Sequence, residues 1–427
     1  MDSFTADLTI RPRSDDQMDI FEEMLRTADL PDDPLLPGFS PNELKKRYEY
    51  AGKIEDELTD MYPGYHLRTE HLMTILMVDL KFFESGGGLS PDTCDPDDLK
   101  VRLESVSPFC KHYMLHRDPD NIKPTDPALD ADDPINLKTL RWAHAIPGIP
   151  EVHPDFTYEM VENEEHEQIR KSIIWAGRFK TNPTLPTVIP SIQEQAKCLE
   201  RDGHRCVVTG APDPQVFWFI PKTWNDTPRH NDDIGNLSGG CTILTDMSLL
   251  EDFHSNTELG KTHRAWNMIS IHRDLYDALA KGLCAFRYID RQPLDYENVT
   301  VELQLYWMPK LSGRFNQVFK VGSLLSFITN IFELIHEFLR QPSIHPDYSN
   351  LTTKSGQQLL SGTSFHVTIP GKDADKFESV VKIQWGCIMF AALCGGAGRA
   401  WYLTGMDQSD ESMQPRDKEF SDDSKVS

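Results

Sequence analysis

Residues 201–309 constrain the fold more than any other part of the chain. They form short apolar runs cut by turn residues. Asp202-Gly203 and Gly210 bracket Cys206-Val207-Val208-Thr209, Pro221 stops the run from Val216 to Ile220, and Gly282 precedes Leu283-Cys284-Ala285-Phe286. Pieces this short and irregular do not supply the regular strand–helix alternation of a parallel α/β sheet. The expected class is therefore α+β. Arg201 to Gly210 reads as a helix end, a turn at Asp-Gly and a short strand closed by glycine.

Helical signals flank this segment. Ser40-Pro41 is a capping serine followed by a proline suited to the first helical turn, and predicts a helix to about Met61. Residues 71–83 read as an apolar-faced helix ended by Gly86-Gly87-Gly88. Residues 117–134 are rich in Asp and Pro and read as a linker. Residues 158–180 begin acidic and end basic, the order a helix dipole favours. Residues 191–201 read as a short helix leading into the central segment. Beyond it, residues 321–340 repeat apolar side chains near a 3.6 period, 365–369 alternate as a strand does, and 374–394 read as a buried helix ended by Gly395-Gly396. The tail from Asp407 carries 7 acidic and 3 basic side chains and reads as disordered. The expected organisation is a mainly helical region (1–150), a helical lead-in (151–200), a central domain (201–309), C-terminal helices and a strand packed on it (310–406), and an acidic tail (407–427).

Charge and cysteine usage narrow the function classes. The net charge of −24 over 427 residues argues against a chain that binds nucleic acid non-specifically as a whole, because such binding comes from Lys and Arg neutralising phosphates. Residues 261–291 are the local exception, with six basic side chains (Lys261, Arg264, Arg273, Lys281, Arg287, Arg291) against three acidic ones. The eight cysteines form no CxxC pair, so neither a zinc module nor a dense disulfide framework is indicated. The first residues lack the apolar core of a signal peptide. The longest apolar stretch, 380–394, contains Lys382 and Gln384 and is too short to span a bilayer. The expectation is an intracellular protein, cytoplasmic or nuclear, with reduced thiols and no membrane partner. Neither Gly86-Gly87-Gly88 nor Gly395-Gly396-Ala397-Gly398 opens a helix as a phosphate-binding loop does.

Three landmarks carry a resemblance. The first is Arg201-Asp202-Gly203-His204-Arg205-Cys206-Val207-Val208-Thr209-Gly210. The second is Phe217-Trp218-Phe219-Ile220-Pro221. The third is Asn267, with Tyr276 nine residues further on, closing at Gly282-Leu283-Cys284-Ala285-Phe286-Arg287. Residues 201–309 resemble the HNH-nuclease domain of a family of fungal intracellular proteins, with a looser likeness over 361–398. The resemblance implies a small ββα core around one divalent metal. It implies a general-base histidine at Trp218, a metal ligand at Phe217, a second ligand on the helix at Tyr276, and Asn267 orienting the base. Only Asn267 keeps the expected type. An indole N–H only donates, phenylalanine binds no metal, and a tyrosine with a pKa near 10 is a poor Mg²⁺ ligand. Trp218 and Phe217 also have a plain role as core-filling aromatics.

The resulting expectation is a catalytically inactive HNH-like protein that acts by binding. Two alternatives stand beside it. One is a metal-dependent endonuclease with a rebuilt site, using Asn267 with His272 or His254, while His263, His230, Asp226, Asp232 and Asp233 offer further nitrogen and oxygen donors. The other is a protein–protein scaffold presenting an apolar face of 321–340 or 374–394. No cofactor is expected for the inactive form, and a divalent metal (Mg or Zn) for the active one. Nucleic acid would be met through 261–291.

Overall fold

The computed structural model describes residues 41–117, 184–249, 253–255, 257–311, 318–319, 344–398 and 403. The expected linker beyond Arg117, the helices at 158–180 and 321–340, and the acidic tail lie outside them.

The first described region is helical. Helix α1 (Pro41–Met61) starts at the proline that the Ser40-Pro41 pair predicts. A two-residue strand β1 (Leu67–Arg68) leads into α2 (Thr69–Met77), and α3 (Pro96–Glu104) and α4 (Val106–Leu115) follow. The helix expected over 71–83 starts two residues earlier and stops at Met77. Val78 turns extended at the C-cap, and a separate 3-10 turn spans Leu80–Phe82 with Asp79 capping Lys81 N–H. An aspartate side chain that satisfies a new helix start competes with continuation of the old one. Helix α3 is capped in the same way by Asp95, ahead of Pro96.

The central region begins with α5 (Ile192–Arg201), capped by Ser191 accepting from Glu194 N–H. The short strand expected at 206–209 is instead a turn. Cys206 N–H bonds Ala211 O at 2.9 Å and Gly210 N–H bonds Cys206 O at 2.8 Å, closing the loop over Gly210 at φ 71°. A glycine adopts that left-handed conformation without a Cβ clash, so the segment folds on itself. Strand β2 (Gln215–Trp218) then pairs antiparallel with β3 (Met268–Ile271), Phe217 opposite Ile269 and Trp218 opposite Met268. Between them lie α6 (Pro228–Asn236) and α7 (Ser238–Thr245). Helix α8 (Arg273–Ala280) follows β3 directly, with His272 as its N-cap.

A second antiparallel sheet has the order β4 (Cys284–Pro293), β5 (Asn298–Trp307), β7 (Thr363–Pro370), and β6 (Val318–Phe319) pairs with β1. Alternation decides its faces: Val301, Leu303, Leu305, Phe365, Val367 and Ile369 are buried, while Ser364 and His366 are exposed. Helix α9 (Ala374–Leu393) covers the apolar face and also packs against α2, α4 and α7. Lys382 and Gln384, which interrupt the apolar run of this helix, have separate reasons. Gln384 is fully buried and its Oε1 accepts Phe286 N–H at 3.1 Å, while Lys382 reaches out to Glu378. One hydrophobic core runs from Leu44 to Leu403, and a second small cluster joins Cys198 of α5 to Trp218 and Met268. The chain is thus of mixed helix and antiparallel sheet. Among the described residues no helix is long and apolar enough to cross a membrane.

Candidate functional site

The hairpin of β2 and β3 places the residues singled out in the sequence. Along β2 the side chains alternate. Phe217 and Phe219 point into the main core, their rings 5.7 Å apart. Trp218 points the other way, onto Cys198 and Met268, with its ring 5.5 Å from His263. Tyr276 of α8 meets the Phe217 ring at 5.7 Å. The structure therefore brings the Phe217 and Tyr276 positions together and holds Trp218 on the opposite face of the same strand.

Asn267 is fully buried just before β3, and every polar atom of its amide is used on main chain. Its Oδ1 accepts Ile220 N–H at 2.7 Å, and its Nδ2 donates to Ile220 O at 3.0 Å and Thr262 O at 3.1 Å. Its own carbonyl takes Phe219 N–H at 2.9 Å. The Ile-Pro step that ends β2 is thus fixed by this one side chain.

The alternative histidines do not gather around Asn267. His272 is a third exposed and its Nδ1 accepts Asp274 N–H at 3.2 Å, an ordinary helix cap. His254 is buried, and burial lowers its pKa. His263 donates Nε2–H to Lys222 O at 2.8 Å. His230 does meet Asp226, Nδ1 to Oδ1 at 2.6 Å. The Asp233 side chain lies outside what is described. Among the described residues, no group of three or more His, Cys, Asp or Glu side chains is placed to hold a metal ion.

Two features were missed by reading the sequence. His112 and His116, at i and i+4 on α4 and its cap, lie beside His230: the ring centroids are 4.2 Å apart for His112 and His116, and 5.4 Å for His116 and His230. His116 Nδ1 meets Thr223 Oγ1 at 2.8 Å, and burial holds His112 well below the usual imidazole range. The i, i+4 spacing was the available signal. The second feature is Arg117, the first residue of the expected linker. It is 9% exposed, and its guanidinium donates to Trp218 O and Phe219 O at the end of β2. Burial lowers its pKa to about 9, so it stays charged at neutral pH.

Three of the six basic side chains of segment 261–291 meet carboxylates. Arg264 lies 3.8 Å from Glu258, Lys281 lies 2.9 Å from Asp277, and Arg291 pairs with Asp375 and Glu378. An open cleft of about 350 Å³ lies instead at the end of α1, lined by Met61, Tyr62, Pro63, Gly64, Tyr65 and Lys100. Compared with known proteins, the chain matches no family model, no curated protein and no solved structure.

Proposed function

We propose that this chain carries an HNH-like module that no longer hydrolyses phosphodiesters and acts by binding a partner. The observation that carries the reading is the use of the Asn267 amide. In the resembled site an asparagine orients a base. Here both donors and the acceptor are spent on the main chain of Ile220 and Thr262, and the base position holds an indole packed on Cys198 and Met268. Strands β2 and β3 pair antiparallel across the inserted helices α6 and α7, and helix α8 follows β3 directly, which supports a ββα ancestry with an insertion between its strands. General-base chemistry at this point needs an acceptor nitrogen or carboxylate, and metal chemistry needs donor atoms facing one centre. Phe217, Trp218 and Tyr276 offer neither at neutral pH.

A protein ligand suits the surface better than nucleic acid, because the chain carries a net charge of −24 and three of the six basic side chains expected to meet phosphates are already paired with carboxylates. Helix α9 does not supply the interaction face, since it is buried along most of its length. One observation favours a rebuilt active site as the second reading: His230 meets Asp226 and lies beside His116 and His112, a cluster that offers a general base but is not placed to hold a metal.

The test is a cleavage assay on plasmid DNA and single-stranded RNA with Mg²⁺, Mn²⁺ or Zn²⁺. It compares the intact protein with His230→Ala and His272→Ala. The expected outcome is no cleavage above a mock preparation. Metal-dependent cleavage lost in His230→Ala would overturn the proposal in favour of the histidine cluster.

A further inference from the structure

Arg117 is a buried cation held by uncharged groups. Among the described residues, no carboxylate lies in ion-pair reach of it, yet the guanidinium sits under the end of β2 with only 9% of its surface exposed. What surrounds it consists of acceptors. The Trp218 and Phe219 carbonyls take its two terminal nitrogens. Two aromatic faces lie against it, Phe217 with its ring centroid 4.3 Å from Cζ and Tyr113 at 4.4 Å. Tyr113 is also tied in place, its hydroxyl donating to Phe219 O at 2.7 Å. Ring faces carry negative quadrupole and carbonyl oxygens negative partial charge, so the surroundings favour a positive charge.

The shape narrows the class of cation. Two flat rings and two adjacent carbonyls match a planar ion that presents two N–H groups in a fork, which a guanidinium does and an ammonium does not. A hard divalent ion is disfavoured for a different reason. Mg²⁺ and Ca²⁺ need about six or more oxygen ligands, and among the described residues two carbonyl oxygens accept from the cation at this point.

We infer that the end of β2 is a receptacle for a planar cation, built from Phe217, Tyr113 and the carbonyls of Trp218 and Phe219, and that Arg117 is its occupant from within the same chain. The guanidinium latches the end of α4 to the β2–β3 hairpin. That it stands where a metal would stand, against the Phe217 and Tyr276 positions, rests on the HNH-like reading; the receptacle itself does not.

The experiment vacates the receptacle and refills it. Thermal unfolding of the full chain and of Arg117→Ala is followed with millimolar methylguanidinium chloride, and separately with ammonium chloride and MgCl₂ at matched ionic strength. Arg117→Ala is expected to unfold several degrees lower. Methylguanidinium should then return about tenfold in its folding equilibrium constant in a saturating manner, as a ligand bound only by the folded form does. Neither ammonium nor Mg²⁺ should do so, and the intact chain should show no gain from any of the three. An Arg117→Ala protein as stable as the intact chain, or one with no gain specific to methylguanidinium, would overturn the inference. Should Arg117→Ala fail to fold, Arg117→Lys and Phe217→Leu are combined in a double-mutant cycle. Coupling of severalfold in the unfolding constant supports the receptacle and additivity refutes it. Nuclease activity in the intact chain would sink the HNH-like pseudoenzyme reading while leaving a methylguanidinium-specific rescue standing, so the two failures are separable.

Discussion

Two buried polar regions of this molecule handle charge in opposite ways. Around α2 and α3, charges are gathered and paired. Arg68 meets Glu70 at 2.6 Å, Lys100 meets Glu104 at 2.7 Å, and His71 Nε2 lies 3.9 Å from Glu104 Oε1. Both glutamates and His71 are at most 5% exposed. Tyr65 and the Arg68 N–H close the other side of the imidazole, each 3.2 Å from Nδ1. At the end of β2, by contrast, one cation is held by π faces and carbonyls, and one amide is held by main chain. Opposite charges in a low-dielectric interior offset much of their mutual desolvation cost, but they remain titratable. The groups that hold Arg117 and Asn267 at the end of β2 are main-chain groups and ring faces. The first region should therefore respond to pH and the second to the loss of single hydrogen-bonding groups.

The largest expected effect is at Asn267. Replacing it with alanine leaves Ile220 N–H and Ile220 O without a partner inside the core, while Thr262 O keeps the Arg264 N–H at 2.9 Å. At roughly 1–3 kcal/mol for each unpaired buried group, Asn267→Ala should lose about 2 kcal/mol or more, read as a shift in urea midpoint at unchanged slope. A loss below about 1 kcal/mol would mean that the amide is not what fixes the Ile-Pro step, and the reading of Asn267 as purely structural would fail.

How far these regions were legible in the sequence differs for a physical reason. Strand β7 was visible because burial of alternate side chains writes a period of two into Phe365, Val367 and Ile369. Helices α1 and α5 were visible because a capping serine and its neighbours are local. Asn267 stood out only through the resemblance, which implied an orienting role rather than the main-chain clamp the geometry displays. Arg117 was illegible because its partners are non-local: Trp218 and Phe219 lie about a hundred positions away, and a residue next to Asp118-Pro119-Asp120 carries the composition of a linker. The paired cluster was missed likewise, because Glu104 and His71 meet only after α2 and α3 have packed.

A smaller effect should come from Glu104, and its sign can be worked out. Burial raises its pKa to about 7, with Lys100 only partly opposing. A carboxyl whose folded pKa lies above its unfolded value binds more protons when folded, so its contribution to stability is present below about pH 4.5 and is lost as pH rises through 7. His71 acts oppositely: burial lowers its pKa, so its contribution grows as pH rises toward the ordinary imidazole value. Arg68, Glu70, Lys100 and Tyr65 also face the pair, and only a difference curve isolates the carboxyl. Relative to the intact chain, Glu104→Gln should gain on the order of 2 kcal/mol between pH 5 and pH 8 by urea titration. A flat difference over that range would show the charge to be fully compensated by Lys100.

The smallest effect tests whether burial, rather than the kind of contact, makes Arg117 matter. Lys382 makes the cation–aromatic contact on the surface, with a carboxylate in place of the two carbonyls. It pairs with Glu378 at 2.5 Å one turn away on α9, and its Nζ lies 5.5 Å over the Tyr288 ring. Its side chain is about half exposed, so water already solvates the ammonium and salt screens it. Exposed i, i+4 pairs are worth roughly 0.3–0.5 kcal/mol, and Lys382→Ala should cost no more than about that, with the cost shrinking in 0.5 M NaCl. A loss as large as that of Arg117→Ala, insensitive to salt, would mean that cation–aromatic contact alone stabilises this fold. The contrast between an enclosed receptacle and an open surface would then no longer explain the latch.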